Sequence, residues 1–165
     1  MTFPRNVGQV PIYYSYKRTG RPQGEGPTAK FRSNYLDVPN DPLFPFGSGL
    51  SYTTFEYSDL QVSSTTLKGD AKLNITVAVK NTGGRSGKHA VELYTRDLYA
   101  SITPSMKRLR AFQKINLNTG ESKQVTFTID KNDLAFVNAQ LKTITEAGDF
   151  EVMIGDKKAK FNYSY

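Results

Sequence analysis

The sequence predicts an all-β protein: an antiparallel sandwich of about seven strands, preceded by an extended N-terminal arm. Three observations predict it. From residue 53 onward apolar residues alternate with polar ones at the period of a half-buried strand. These runs are short and are separated by Gly, Asn and Asp turn signals. Residues 17–52 hold 5 Gly and 5 Pro, carry charges of both signs and show no helical periodicity.

Along the arm, Val10-Pro11-Ile12-Tyr13-Tyr14 is an apolar run whose β-branched and aromatic content favours a strand. Pro11 has no N–H to donate, so this strand belongs at an edge. It has no partner strand before residue 53 and must find one elsewhere: in another domain, in the sandwich, or in a second copy of the chain. We expect residues 9–16 to be ordered by such packing. In the connector, Pro39, Pro42 and Pro45 fix φ and bias the residues before them toward extended backbone. Phe44, Phe46 and Tyr52 then need cover, and they are expected to pack into a hinge between the arm and the sandwich.

The sandwich strands are expected at 55–63, 72–81, 88–96, 107–117, 122–130, 149–155 and 159–165. Leu73, Ile75, Val77 and Val79 make one inward set, and Val91, Leu93 and Thr95 the next. Leu109, Ala111, Ile115 and Leu117 make a third, with Phe112 out of register at an expected bulge. Val125, Phe127 and Ile129 follow, then Phe150, Val152 and Ile154, then Phe161, Tyr163 and Tyr165. Asn81-Thr82-Gly83-Gly84 reads as a turn, Asn118-Thr119-Gly120-Glu121 as a hairpin turn, and Gly155-Asp156 ends a strand. Asp130 is placed to cap one short helical turn over 130–136, and 141–145 suits an eighth strand. Such a strand count and spacing match an immunoglobulin- or fibronectin type III-like sandwich. The domain plan is residues 1–16 as a lone strand, 17–52 as connector and 53–165 as sandwich.

Composition narrows the function. The chain has 165 residues, no Cys and one His. Disulfides, thiolate metal sites and Cys nucleophiles are excluded. The net charge of +7 is scattered, its densest cluster being Lys107-Arg108-Leu109-Arg110, so it reads as solvated surface rather than a nucleic-acid interface. No apolar run is long enough to span a membrane, and Met1-Thr2-Phe3-Pro4-Arg5 lacks the apolar core of a signal peptide. His89 lacks a Ser-and-acid or metal-ligand setting. Asp59, Asp70, Asp130, Asp149 and Asp156 lie at turns and strand ends, where Asp bonds backbone N–H groups. The glycines lack the Lys-Ser/Thr of a phosphate loop. No catalytic residue, cofactor site or metal site is expected in this chain. Arg18, Arg21, Lys30, Phe31, Arg32, Asn34, Tyr35 and Asp37 are the one group suited to sugar, through directed hydrogen bonds and ring stacking, although on composition alone a solvated linker is the favoured reading.

Several stretches carry a resemblance. Thr2-Phe3-Pro4-Arg5-Asn6-Val7-Gly8-Gln9-Val10-Pro11-Ile12-Tyr13-Tyr14 resembles the closing strand of the second α/β domain of family 3 glycoside hydrolases. Thr19-Gly20-Arg21-Pro22 resembles the loop after it. Arg32-Ser33-Asn34-Tyr35-Leu36-Asp37 and the run from Leu43 to Phe55 resemble the entry to their C-terminal fibronectin type III-like domain. Val79 to Gly83, Leu109 to Ile115 and Gly148 to Gly155 are similar within that domain. The likeness is strongest to bacterial periplasmic β-glucosidases. It implies a parent that hydrolyses β-linked glucosyl units with retention, whose nucleophilic Asp and acid Glu lie in domains not present here. It implies a scaffolding role, with the catalytic domains as partners and Arg21, Arg32, Tyr35 and Asp37 at the rim of the parent's active site. It also implies a periplasmic or secreted parent. A carbohydrate- or surface-binding module is the other reading, motivated by the Tyr-rich basic surface.

Overall fold

Ten strands and one helical turn follow one another in the computed structural model, which describes residues 2–18, 20 and 31–165. They are β1 (Phe55–Val62), β2 (Thr66–Lys68), β3 (Leu73–Asn81), β4 (Gly87–Asp97), β5 (Arg108–Leu117), β6 (Ser122–Ile129), α1 (Lys131–Leu134), β7 (Phe136–Val137), β8 (Thr143–Ile144), β9 (Gly148–Ile154) and β10 (Lys157–Ser164). One sheet has the order β1-β3-β6 and the other β2-β10-β9-β4-β5, with β7 and β8 forming a small separate ribbon. All pairings are antiparallel except β2 on β10. The two inner faces interdigitate through the alternating residues. Ile75, Val77, Val79, Val91, Leu93, Val152 and Ile154 are completely buried, and Leu67, Phe150 and Phe161 complete the core. The expected sandwich and its seven main strands are present.

The sequence expectations need four corrections. First, Asn118 to Glu121 is not a hairpin: β5 belongs to the five-stranded sheet and β6 to the three-stranded one, so the turn crosses between layers. A turn signal alone cannot distinguish the two, since both reverse the chain in a few residues. Second, the irregularity in β5 lies at Arg110, not Phe112. Leu93 pairs with Ala111 and Tyr94 with Leu109, leaving Arg110 as the extra residue, while Phe112 is paired and faces solvent. Third, residues 10–14 form no strand. Pro11 breaks the donor row, and the Val10 N–H bonds instead to the Tyr35 hydroxyl at 2.8 Å, so the ladder that a second copy would extend is lacking. Fourth, β2 and β7 escaped the sequence reading, because two or three residues are too few to show a period.

Local chemistry explains the element ends. Asp130 caps α1: its Oδ1 accepts from Asn132 N at 2.7 Å, and Asp133 Oδ2 accepts from Asp130 N at 2.9 Å. The β9–β10 hairpin turns at Gly155, whose φ of 56° suits a residue without a side chain. A Cβ there would come within 2.5 Å of the Tyr57 ring, so the glycine also makes room for β1. Among the described residues no helix is long and apolar enough to cross a membrane.

Candidate functional site

Asn81 joins the connector to the sandwich. It is fully buried at the end of β3. Its Oδ1 accepts from Thr53 Oγ1 at 2.6 Å and from Gly83 N at 3.1 Å. Its Nδ2 donates to the carbonyls of Arg85 at 2.7 Å and Leu117 at 3.1 Å. All the hydrogen-bonding capacity of this amide is used, as burial demands. Gly83 lies so close to Thr53 that a Cβ would meet its hydroxyl at 2.3 Å. The Asn-Thr-Gly stretch read as a simple turn is therefore also the lock of the connector.

Upstream of Thr53 the chain lies against the outer face of β4. Tyr14 stacks on Phe46 with ring centroids 4.5 Å apart, and it tilts against Tyr94 at 6.3 Å. Tyr94 donates its hydroxyl to Glu92 Oε2, and Lys107 lies 4.9 Å above its ring. Burial and the Glu92 carboxylate together push the Tyr94 phenol up. Gly47, at a φ of 82°, passes so close to Glu92 that a Cβ would be 2.8 Å from its Oε2. Backbone bonds from Met106 N to Tyr16 O, and the Lys17–Ser105 bridge, fasten the arm at the other end. Beside this seam, His89 stacks on Phe55 at 4.4 Å and places Nε2 2.6 Å from the Tyr57 hydroxyl. Burial lowers the His89 pKa and pushes the Tyr57 phenol up to about 12, so both stay neutral near pH 7. His89 is thus a packed residue with an aromatic partner.

The expected rim residues fall on one segment without forming one cluster. Tyr35 is half-buried: its hydroxyl accepts from Val10 N, and its own N–H donates to Asn40 Oδ1 at 3.3 Å. Arg32 and Asp37 are exposed on the same loop, and Arg21 lies outside the described residues. Gln9, which no sequence signal singles out, holds the loop to the arm. It is buried, donates to Pro39 O at 2.8 Å, and accepts from Arg5 N at 2.6 Å. Open grooves of about 360 and 640 Å³ run along the arm, lined by Ile12, Tyr16, Ser33 and Asn40 in common.

The hinge aromatics divide. Phe46 is half-buried in its stack with Tyr14. Phe44 meets Phe3 edge-on at 6.4 Å yet remains 53% exposed, and Tyr52 is 91% exposed. The expectation that all three would be packed fails for Tyr52 and largely for Phe44, because nothing among the described residues covers that side of the connector.

Comparison with known proteins places this geometry. A fibronectin type III-like domain family matches residues 89–158. The periplasmic β-glucosidase of Salmonella typhimurium is 46% identical over 160 residues, which is 97% of this chain and 21% of that protein. The β-glucosidase of Listeria innocua in complex with glucose superposes with a TM-score of 0.90 at 37% identity, covering 100% of this chain and 24% of that one. The sandwich is a fibronectin type III-like domain, and the relatives that match it are family 3 β-glucosidases. The domain also resembles part of β-glucosidase 3B from Thermotoga neapolitana in complex with α-D-glucose, with a TM-score of 0.67 at 39% identity over 74% of this chain and 18% of that one. The chain spans about a fifth of the length of the curated relatives it matches. Among the described residues, no group of His, Cys, Asp or Glu is placed to hold a metal ion.

Proposed function

We propose that this chain is the non-catalytic C-terminal scaffold of a β-glucosidase-like glycoside hydrolase and braces catalytic domains that lie on other parts of a longer enzyme. The observation that carries this is the uneven distribution of exposed apolar side chains. Eleven of the sixteen large hydrophobic residues exposed among the described ones precede Thr53, including Phe3, Tyr13, Tyr16, Leu43, Leu50 and Tyr52. An apolar surface of this extent is the mark of a docking face. In this reading residues 1–16 are the last strand of a preceding α/β domain, 17–52 the connector and 53–165 the brace. Residues 10–14 would take up strand geometry only against their own sheet. Arg21, Arg32, Tyr35 and Asp37 would stand at the rim of the parent's active site, and the parent would be a retaining β-glucosidase of the periplasm or cell exterior, as its Salmonella relative is named.

A polysaccharide-binding module would need a row of aromatics on the sandwich. The exposed ones there, Tyr99, Phe112 and Tyr165, come from a loop, from β5 and from the C-terminus, and do not share a strand. The scaffold reading is tested by deleting residues 53–165 from an intact parent enzyme. A large fall in melting temperature and turnover is expected; unchanged melting and turnover would refute the proposal.

A further inference from the structure

A cavity of about 200 Å³ opens where the sandwich core ends, between β4, β5, α1–β7 and the loop that follows β4. Its walls mix core residues such as Leu134 and Phe150 with charges on inward-facing strand positions. Asp97 contributes a carboxylate whose Oδ1 accepts from Tyr99 N at 3.1 Å and whose Oδ2 is buried without a hydrogen-bond partner. Arg110 donates Nε to the buried Thr95 hydroxyl at 3.0 Å, but its two terminal nitrogens bond nothing among the described residues. Arg108 gives one nitrogen to the carbonyl of Ala135 at 2.8 Å. Lys17 lines the same cavity. None of these four charges takes part in an ion pair among the described residues.

Burying charges without partners is costly, and here three cations and one carboxylate line the cavity, with Asp133 within electrostatic reach of Arg110 and Glu146 within reach of Asp97. Burial, with Arg108 as a like-charged neighbour, brings the Arg110 pKa down to about 10, and burial pushes Asp97 up to about 6. A ligand that relieves both ends must bring an anion to the guanidinium groups and a hydroxyl donor to Asp97 Oδ2. Guanidinium forks match a carboxylate in two-pronged geometry. A neutral sugar would leave the arginine forks without an anion, and a zwitterion would bring its own cation beside them. We propose that this cavity binds a small polyhydroxylated carboxylate, a sugar acid of the hexuronate class. Its carboxylate would lie against Arg108 and Arg110, a hydroxyl would donate to Asp97, and its apolar face would rest on the Leu134 side. The site is independent of the scaffold role.

The test is a titration of the 165-residue chain, followed by amide chemical shifts, with sodium D-glucuronate, D-glucose, sodium acetate and glycine. Glucuronate should shift the amides of Thr95, Asp97 and Phe136 saturably, and the other three should bind at least about tenfold more weakly, as expected when a charge-assisted or hydroxyl contact is lost. The double variant Arg108→Lys/Arg110→Lys keeps the charge but loses the fork; it should melt as the parent chain does and lose about tenfold or more in affinity. No saturable shift with glucuronate, equal binding of glucose, acetate or glycine, or unchanged affinity in the folded double variant would each overturn the proposal.

Discussion

The sandwich and the stretch before it obey different rules of burial. Across residues 55–164 the strands satisfy one another's backbone groups and close a core in which eight aliphatic residues have no exposed surface. Across the arm and connector, backbone pairing is reduced to isolated bridges such as Phe3–Phe44 and Lys17–Ser105, while Tyr52 and Leu50 stand almost wholly in solvent. Both stretches are rich in aromatic and aliphatic residues. What separates them is whether the partner surface lies within the same chain. The first can be stable by itself, whereas the second has the composition of an interior and the exposure of a surface, which is the physical basis for reading it as a docking face.

Substitutions that probe this contrast should rank by how far each depends on contacts inside the chain. Leu93→Ala, in the fully buried centre of β4, should cost about 2–5 kcal/mol in thermal or denaturant unfolding. Asn81→Ala should cost about 2–3 kcal/mol, because it strands the buried Leu117 carbonyl and releases Thr53 at the junction. A loss of under half a kcal/mol there would mean that the connector is not locked to the sandwich. Asp97→Asn should act in the opposite direction. The folded chain holds the Asp97 proton more tightly than the unfolded chain, with a pKa of about 6 against 3.8. Stability from this group therefore falls as pH rises from about 4 to 6, and the cost persists above that. Removing the charge should gain about 1 kcal/mol at pH 7, after allowance for solvent screening, and nothing at pH 4, as read from paired melting curves. Tyr52→Ser should change the stability of this chain by less than about 0.5 kcal/mol. The same change in an intact parent should be destabilising if Tyr52 is covered there.

The strand pattern was legible because β3 and β6 keep one face in the core and alternate, and because β4 and β9 still place Val91 and Leu93, and Phe150, Val152 and Ile154, two residues apart on the inner face. The cap at Asp130 was legible because it depends on residues three apart. Layer assignment was not, since the turn at Asn118 looks the same whether it joins neighbours or crosses between sheets. The strand expected at residues 10–14 failed for a different reason: its residue types favour β structure, but a strand needs a neighbouring ladder, which the sequence of this chain does not supply. Asn81, Gln9 and Asp97 were unreadable as anchors or buried groups, because polar residues at turns, arms and strand ends carry no periodicity to betray their burial. The expectation for Tyr52 assumed that an aromatic in a stiff connector finds cover locally, and its 91% exposure shows that it does not.

The most direct test of the scaffold account is amide hydrogen exchange measured on the 165-residue chain and on an intact β-glucosidase that contains it. The account predicts equal, strong protection of β3, β4 and β9 in both. It predicts protection of residues 9–16 and 43–52 only in the intact enzyme. Equal exchange of those two segments in both proteins would contradict it.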